Sequence, residues 1–305
     1  MKESFNELYT RLYRENFNEL EVLRKKERMT ILPFFILFIA AVIVGVINIK
    51  YMPAIMMVML LYIVVKICKS LKENKGKKTY RTIFKEKIIG PIIENVFEGA
   101  TYDPHKGIDR REYTNAGYPD WIDRYTSEDL IVAPLNIPGE KTTIITFSEV
   151  HTERRHEDKD GHTSYSTEFN GLAGSFLIPK DTNNKMYIRA NGLFSKFTKR
   201  RVNMDMSEFE KIFDVESEDK ILAMRILTSD VMTEMIDIYT KYKYRFEISI
   251  INDKVYMRLH TGAMFEPAIF KESIEYKQLE KYYSILKALT NVSEHIYDTI
   301  LKLEL

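Results

Sequence analysis

The sequence has 305 residues, which is enough for two ordinary domains or for one domain plus an appendage. Its 45 basic and 44 acidic side chains leave a formal net charge of +1, which argues against a nucleic-acid binder that works through bulk charge. The single cysteine excludes an intramolecular disulfide and a multi-cysteine zinc site.

Residues 1–30 have the pattern of an amphipathic helix. Their apolar side chains recur at spacings of mostly three and four, and no Gly or Pro interrupts them. The pattern includes an aromatic stripe, formed by Phe5, Tyr9, Tyr13 and Phe17. We therefore predict an N-terminal helix over 1–30 whose stripe serves packing rather than cofactor binding.

Two uncharged apolar runs follow, over residues 31–49 and 51–68 with only Lys66 interrupting the second. As a helix the first run would be roughly 28 Å long, close to the thickness of a bilayer's hydrocarbon core. Between them, Asn48, Lys50 and Pro53 favour a tight reversal. The sequence therefore predicts a two-helix transmembrane hairpin over 31–68.

Basic residues flank both apolar runs and are rare between them, so the positive-inside rule predicts a multi-pass protein of the cell (inner) membrane with both termini cytoplasmic. The segment 69–99 is predicted to be a basic juxtamembrane helix. It supplies candidate ligands for anionic phospholipid headgroups, namely Lys69, Lys72, Lys75, Lys77 and Lys78. The alternative is that these lysines only fix topology.

Residues 100–305 read as a cytoplasmic α+β domain. Short β-like runs with turn signals between them favour a mainly antiparallel sheet. Asn252-Asp253 predicts one hairpin turn and Asp160-Gly161 another. Ser207 and Glu210 form a capping box that predicts a helix start, and a long C-terminal helix is predicted from about Glu275 to Leu303.

Five short motifs in this domain occur in a characteristic order. They are F-S-E-V-H-T at 147–152, F-N-G at 169–171, E-F-E-K-x-F at 208–213, I-L-T at 226–228 and F-E-P at 265–267. In this order and spacing the chain resembles the bacterial family known as domain of unknown function 3137. The resemblance covers roughly residues 80–300. It implies a membrane hairpin ahead of the domain, and it brings neither an activity nor catalytic residues.

Three histidines, His151, His156 and His162, lie within a short stretch and raise the question of a metal site. If Asp160-Gly161 is a hairpin turn, one register places His151 opposite Asn170 and His156 opposite Tyr165. His151 and His156 would then lie ~17 Å apart and on opposite faces of the strand. Solvated histidines are the favoured interpretation.

The same turn resembles a calcium loop only in part. Asp158, Asp160 and Gly161 fit such a loop, but His156 and Thr167 stand where strong oxygen ligands are needed. A polar hairpin turn is therefore favoured. Gly171 and Gly174 have no following Lys to make a phosphate loop, and they more simply mark a bulge or a close approach of backbones.

No catalytic signature accompanies these patterns, so the leading hypothesis is a non-enzymatic membrane protein whose domain binds a protein or lipid partner. The partners expected are the bilayer, anionic phospholipid and a membrane protein, without nucleic acid and without a cofactor. The competing hypothesis is a membrane-tethered hydrolase with a site around His151 and Glu149. A pocket that joins His151 or His260 to two or more carboxylates would favour the hydrolase.

Overall fold

The computed structural model describes residues 3–47, 57, 62, 79–118, 120–135, 137, 142–191 and 200–304, and every structural statement below concerns these residues. Their contacts divide the chain into two compact units. The helical unit comprises Met1–Ile89 with Glu266–Leu279, and the sheet unit comprises Gly90–Phe265 with Glu280–Leu305.

The helices are, in chain order, α1 (Phe5–Ile47), α2 (Tyr80–Phe84), a π-helical stretch (Lys85–Ile89), α3 (Gly90–Val96), α4 (Arg110–Asn115), α5 (Ser207–Glu210), α6 (Lys220–Ile226), α7 (Ser229–Tyr242) and α8 (Tyr276–Lys302). The strands are β1 (Thr101–Asp103), β2 (Arg124–Leu135), β3 (Thr143–Glu157), β4 (Thr163–Leu177), β5 (Lys185–Ala190), β6 (Arg201–Val202), β7 (Phe213–Ser217), β8 (Phe246–Ile251) and β9 (Lys254–Leu259).

The predicted transmembrane hairpin is wrong. Helix α1 runs without a break from Phe5 to Ile47, so the apolar residues after position 30 continue the N-terminal helix instead of starting a separate one. In the part of the chain that the structure describes, none of the helices combines the length and the apolar composition that crossing a membrane requires. This finding also overturns the predicted multi-pass membrane localisation. Most of the second predicted span, 51–68, lies outside the described residues.

In the helical unit, α1 packs against the helical segment that begins at Tyr80. The packed surface buries one face of each helix, with Leu8, Leu12, Leu20, Tyr80, Phe84 and Ile88 at most 3% exposed. The aromatic stripe forms a row of ring contacts, and the Tyr13 and Phe17 rings stack with their centroids 4.4 Å apart. The rings of the stripe are half-buried and contact one another, so the stripe serves aromatic packing.

The antiparallel sheet and the long C-terminal helix are confirmed. The nine described strands form one sheet in the order β1-β2-β3-β4-β9-β8-β5-β7-β6, and all its pairs are antiparallel. Within the sheet unit, the inner face packs against residues 280–302 of α8, where the Ser293 hydroxyl contacts the Met257 sulfur at 3.7 Å. The hydrophobic core of this unit therefore lies between the sheet and the C-terminal helix.

In the described part of the chain, the outer face of the sheet is only partly covered, by residues 104–118 and 120–123, which we call the covering segment. From this segment, the side chain of Tyr113 packs on Val150, Phe169 and Ala173, which project from β3 and β4. This small second core holds the covering segment, including α4, over one half of the outer face. The other half of the outer face carries the candidate site described below.

Local sequence signals differ in how well they locate turns and helix starts. Asn252-Asp253 joins β8 to β9 as predicted, and Asn252 has the positive φ of 57° that such turns favour. The capping box is wrong, because α5 begins after Met206 and the Glu210 carboxylate accepts the backbone N–H of Met204 at 2.9 Å. The side chain of Ser207 therefore does not cap α5.

Candidate functional site

The candidate site is an apolar groove on the uncovered half of the outer sheet face. We call it the outer-face patch and define it by Ile108, Leu130, Val132, Ile144 and Leu177. The groove has a volume of about 360 Å³, within the range of small-ligand or side-chain pockets. Ile144 and Leu177, at 53% and 52% exposure, are unusually open for large aliphatic residues in a sheet.

Strand register brings these two exposed side chains together. Ile145 pairs with Phe176 across β3 and β4, and these two side chains are buried on the inner face. Ile144 and Leu177, one residue away from that pair on each strand, therefore project to the outer face as neighbours. The alternation of side chains between the two faces of the sheet, which places Ile145 and Phe176 in the core, therefore also exposes the aliphatic pair Ile144 and Leu177.

Charged groups form one rim of the outer-face patch. The Glu112 carboxylate of α4 lies 2.5 Å from the Ser175 hydroxyl and 2.5 Å from the Lys254 ammonium, so α4 is tied to β4 and β9 at this point. Asp109 caps the N-terminus of α4 by accepting the backbone N–H of Arg111 at 2.7 Å. The rim therefore carries two carboxylates and one lysine, and Glu112 already engages that lysine.

A buried network of hydrogen bonds around Arg258 holds the covering segment, which contributes Ile108 to the outer-face patch. The Arg258 guanidinium donates to the Glu247 carboxylate across the β8–β9 hairpin and to the Asp120 carboxylate of the covering segment. It also donates to the Tyr113 hydroxyl at 3.0 Å and lies 3.9 Å from the centre of the Tyr118 ring. Because Arg258, Glu247 and Asp120 are each at most 8% exposed, these bonds form out of water and fix the segment firmly.

The charges of this network set the pKa of Glu247. Burial alone raises the pKa of a carboxyl group, but the neighbouring His260 and Arg258 outweigh it and lower the pKa of Glu247 to about 2. The His260 Nε2 lies 3.8 Å from the Glu247 carboxylate, which is too long for a hydrogen bond, whereas Arg258 bonds directly. We therefore take Arg258 as the principal partner of an ionised Glu247.

Part of this network was readable from the sequence and was missed. The Asn252-Asp253 turn fixes a register in which Glu247 faces Arg258, an oppositely charged cross-strand pair. Asp120 and Tyr113 lie 138 and 145 residues from Arg258 along the chain. Their approach depends on the path of the covering segment, for which the sequence carries no local signal.

The three histidines do not form a metal site in the structure. His151 pairs with Asn170 as predicted, but a bulge in β4 at Glu168 shifts the register, so His156 pairs with Ser164 and not with Tyr165. The His151 and His156 rings contact hydroxyls, at 3.2 Å from Thr167 and 2.6 Å from Ser166 respectively. His151 and His156 therefore each have a separate hydroxyl partner on the β3–β4 hairpin.

The Asp158–His162 turn is a polar hairpin turn, as favoured from the sequence. Asp158, Asp160 and His162 present oxygen and nitrogen atoms within 4.8 Å of one another, but all three residues are exposed. The Asp158 carboxylate already accepts the backbone N–H groups of Asp160 and His162, at 2.9 and 2.8 Å. Its oxygens therefore stabilise the turn itself.

A second acidic group in the sheet unit consists of Glu128, Asp129 and Glu149, whose carboxylates lie within 4.8 Å of one another. The Glu149 carboxylate accepts the backbone N–H groups of Met264 and Phe265 at 2.5 and 2.6 Å, and the Tyr102 hydroxyl donates to Asp129. These oxygens are engaged in holding backbone and side chains. We therefore assign no metal to them.

The five candidate lipid-binding lysines, Lys69, Lys72, Lys75, Lys77 and Lys78, lie outside the described residues, and their contact with anionic headgroups stays a prediction. Changing all five to Gln in the full-length protein should reduce its preference for anionic over neutral vesicles. Each lysine near an anionic surface contributes about 1 kcal/mol, and the preference should weaken as salt shortens the Debye length to roughly 8 Å. Vesicle flotation at low and physiological salt measures this preference.

A matched control removes the same number of positive charges elsewhere, at Lys211, Lys220, Lys281, Lys287 and Lys302. We expect this control to keep most of the preference for anionic vesicles. An equal loss in both variants would show that only net charge matters, and no loss in the first would leave the lysines without a lipid role.

The fold and the groove define a class: an α+β protein with an antiparallel sheet, packed on one face and partly open on the other. The sequence model of the family described as "Protein of unknown function (DUF3137)" matches residues 167–297, which confirms the resemblance over that part of the chain. No curated protein matches the chain.

A search of solved structures finds the crystal structure of the mycobacterial trehalose monomycolate transport factor A, TtfA. The two chains share 8% sequence identity, and the alignment covers 68% of this chain and 95% of that chain with a TM-score of 0.34. A similarity at that TM-score carries no argument about the function of this chain.

Proposed function

We propose that the chain is a non-enzymatic binding protein whose sheet unit holds an apolar segment of a partner protein in the outer-face patch. The observation that carries the proposal is the neighbouring pair Ile144 and Leu177, each more than half exposed inside a groove of about 360 Å³. Clustered apolar side chains that stay open to water, framed by polar groups, are characteristic of interaction surfaces.

Charge on the rim favours a protein segment over an anionic lipid at this patch. Asp109 and Glu112 lie beside the groove, and Glu112 already forms an ion pair with Lys254. An anionic headgroup would meet the Asp109 carboxylate there, and the lysine that lines the groove, Lys254, is already engaged by Glu112. An apolar peptide segment with neutral or basic flanks complements both the groove and its rim.

The histidines give no support to the competing hydrolase. Three open cavities of the sheet unit, with volumes of about 300, 360 and 470 Å³, have no histidine among their lining residues. His260 lies beside one carboxylate, Glu247, which Arg258 already engages. A hydrolytic site would need a histidine and carboxylates facing a space for substrate.

The test places a photo-crosslinking amino acid at position 144 of the full-length protein in its native cells, with adducts identified by mass spectrometry. We expect one dominant protein adduct that disappears when Leu177→Ser is added, since the serine removes the apolar neighbour that the partner would contact. Leu177 is more than half exposed, so this substitution should leave the fold intact.

The matched control puts the crosslinker at Ile221, which is 72% exposed on α6. This position should not give the same adduct, and Ile221→Ser should leave the adduct at position 144 unchanged. The proposal fails if positions 144 and 221 capture the same proteins, if Leu177→Ser has no effect, or if position 144 captures only lipid.

A further inference from the structure

The hairpin arm formed by β3 and β4 has a backbone edge without a partner in the described part of the sheet. The β3–β4 ladder continues to the pair Glu157–Thr163, whereas β4 pairs with β9 only from Leu172 to Leu177. Beyond that ladder, Gly262 donates its backbone N–H to Asn170 at 3.1 Å. No further backbone hydrogen bond of the described residues reaches the outer side of 163–169.

The hydrogen bonds of β3 show which residues of β4 point outwards. Glu153 and Arg155 direct their backbone away from β4, because Glu153 accepts from the Asp123 N–H at 2.9 Å and Arg155 donates to the Asp123 carboxylate at 2.6 Å. In an antiparallel pair, the residues opposite them then also point away. These opposite residues are Thr167 and Tyr165, and the alternation extends to Thr163.

The composition of this edge lacks the usual protection against pairing. Residues 163–167 contain no charge and no proline, consist of threonine, serine and tyrosine, and are all exposed. Natural edge strands commonly carry charges or proline that block a further strand. The other strand of the arm has such charges at Arg154, Arg155 and Glu157, so the two edges of the arm differ.

The sequence of the edge is a palindrome, Thr163-Ser164-Tyr165-Ser166-Thr167. A second copy related by a two-fold axis at Tyr165 would therefore present the same residues in antiparallel order, with Tyr165 opposite Tyr165 and Thr163 opposite Thr167. These are the outward positions, so each such pair can exchange both backbone hydrogen bonds.

We propose that two copies of this chain associate through the outer edge of β4, centred on Tyr165, to form one continuous antiparallel sheet. The proposal goes beyond the outer-face patch and does not depend on it. Five paired residues span only about 17 Å, so the interface is small and the dimer should be reversible and concentration-dependent.

Charge exchange at the edge tests the pairing and its register. In the full-length protein, Thr163→Lys with Thr167→Lys would place lysines opposite lysines, and Thr163→Glu with Thr167→Glu would place glutamates opposite glutamates. Sedimentation equilibrium over a roughly hundredfold concentration range should show a native dimer and, for each variant alone, an affinity weaker by about tenfold or more. A one-to-one mixture of the two variants should restore association, because each lysine then faces a glutamate.

A control on the other strand of the arm, His156→Lys with Glu157→Lys, should dimerise like the native protein. Restoration in the mixture cannot come from misfolding, so it distinguishes loss of pairing from loss of structure. The proposal is overturned if the native protein stays monomeric over the whole range, if the lysine variant dimerises like the native protein, or if the mixture does not recover.

Discussion

Replacing Arg258 by Met should lower the free energy of unfolding of the sheet unit by roughly 3–5 kcal/mol. The substitution keeps an unbranched side chain of similar reach but leaves Glu247 and Asp120, both at most 8% exposed, without the cation that neutralises them. Buried charges that lose their partner carry the full cost of desolvation. Urea denaturation followed by the fluorescence of Trp121, the sole tryptophan and the neighbour of Asp120, measures the loss.

The matched control is Arg245→Met. Arg245 binds the same Glu247 carboxylate at 3.1 Å, but its side chain is 58% exposed, so its removal should cost no more than about 1 kcal/mol. If the two substitutions cost the same, the network around Arg258 does not act as a buried charge cluster, and the covering segment must be held by its apolar contacts alone.

The pH dependence of the same two proteins gives a second check. In the native protein the pKa of Glu247 is lowered to about 2 from 4.5, so its contribution is complete above 4.5 and is lost as pH falls towards 2. Without Arg258, burial should raise the pKa of Glu247 instead. Protonation of Glu247 at low pH should then remove the buried charge that destabilises the variant. The stability gap between native protein and Arg258→Met should therefore narrow between pH 4.5 and 2.

Local signals predicted the parts of the fold that local chemistry determines. Asn252-Asp253 could be located as a turn because its φ preference is a property of those residues, and α8 because its apolar residues follow the helical period. The charged pair Glu247–Arg258 follows from the same turn by counting residues. Asp120 could not be placed, since its contact with Arg258 spans 138 residues of chain.

The apolar run 31–49 shows where pattern alone misled. An uncharged helix and a membrane span share one sequence pattern, and the described part of α1 continues the N-terminal helix through Ile47. The outer-face patch was missed for a related reason. Ile144 and Leu177 alternate with buried neighbours as any strand residues do, and only the path of the covering segment decides which half of the outer face stays open.

Gly171→Ala should strongly destabilise the sheet unit, with a loss of about 3 kcal/mol or more. A Cβ at this position would lie 2.0 Å from the Leu259 carbonyl oxygen and 2.7 Å from the Thr261 backbone nitrogen. Both obstacles are backbone atoms of the strand end beside β4, so they cannot rotate away as a side chain would. To admit the methyl group, β4 and β9 must separate where their ladder begins, at Leu172–Leu259.

Gly161→Ala separates this steric effect from the general cost of replacing glycine. Gly161 has a φ of +81° and nothing within 4 Å of its Cβ position, so only the left-handed backbone penalises alanine there, at about 1–2 kcal/mol. Urea denaturation of both variants should rank Gly171→Ala well below Gly161→Ala in stability. Hydrogen exchange should also show the first variant losing protection at Leu172 and Leu259 while the second keeps it. Equal stabilities would mean that the strands at Gly171 yield readily, and that the close approach of their backbones does not fix the position of β4 against β9.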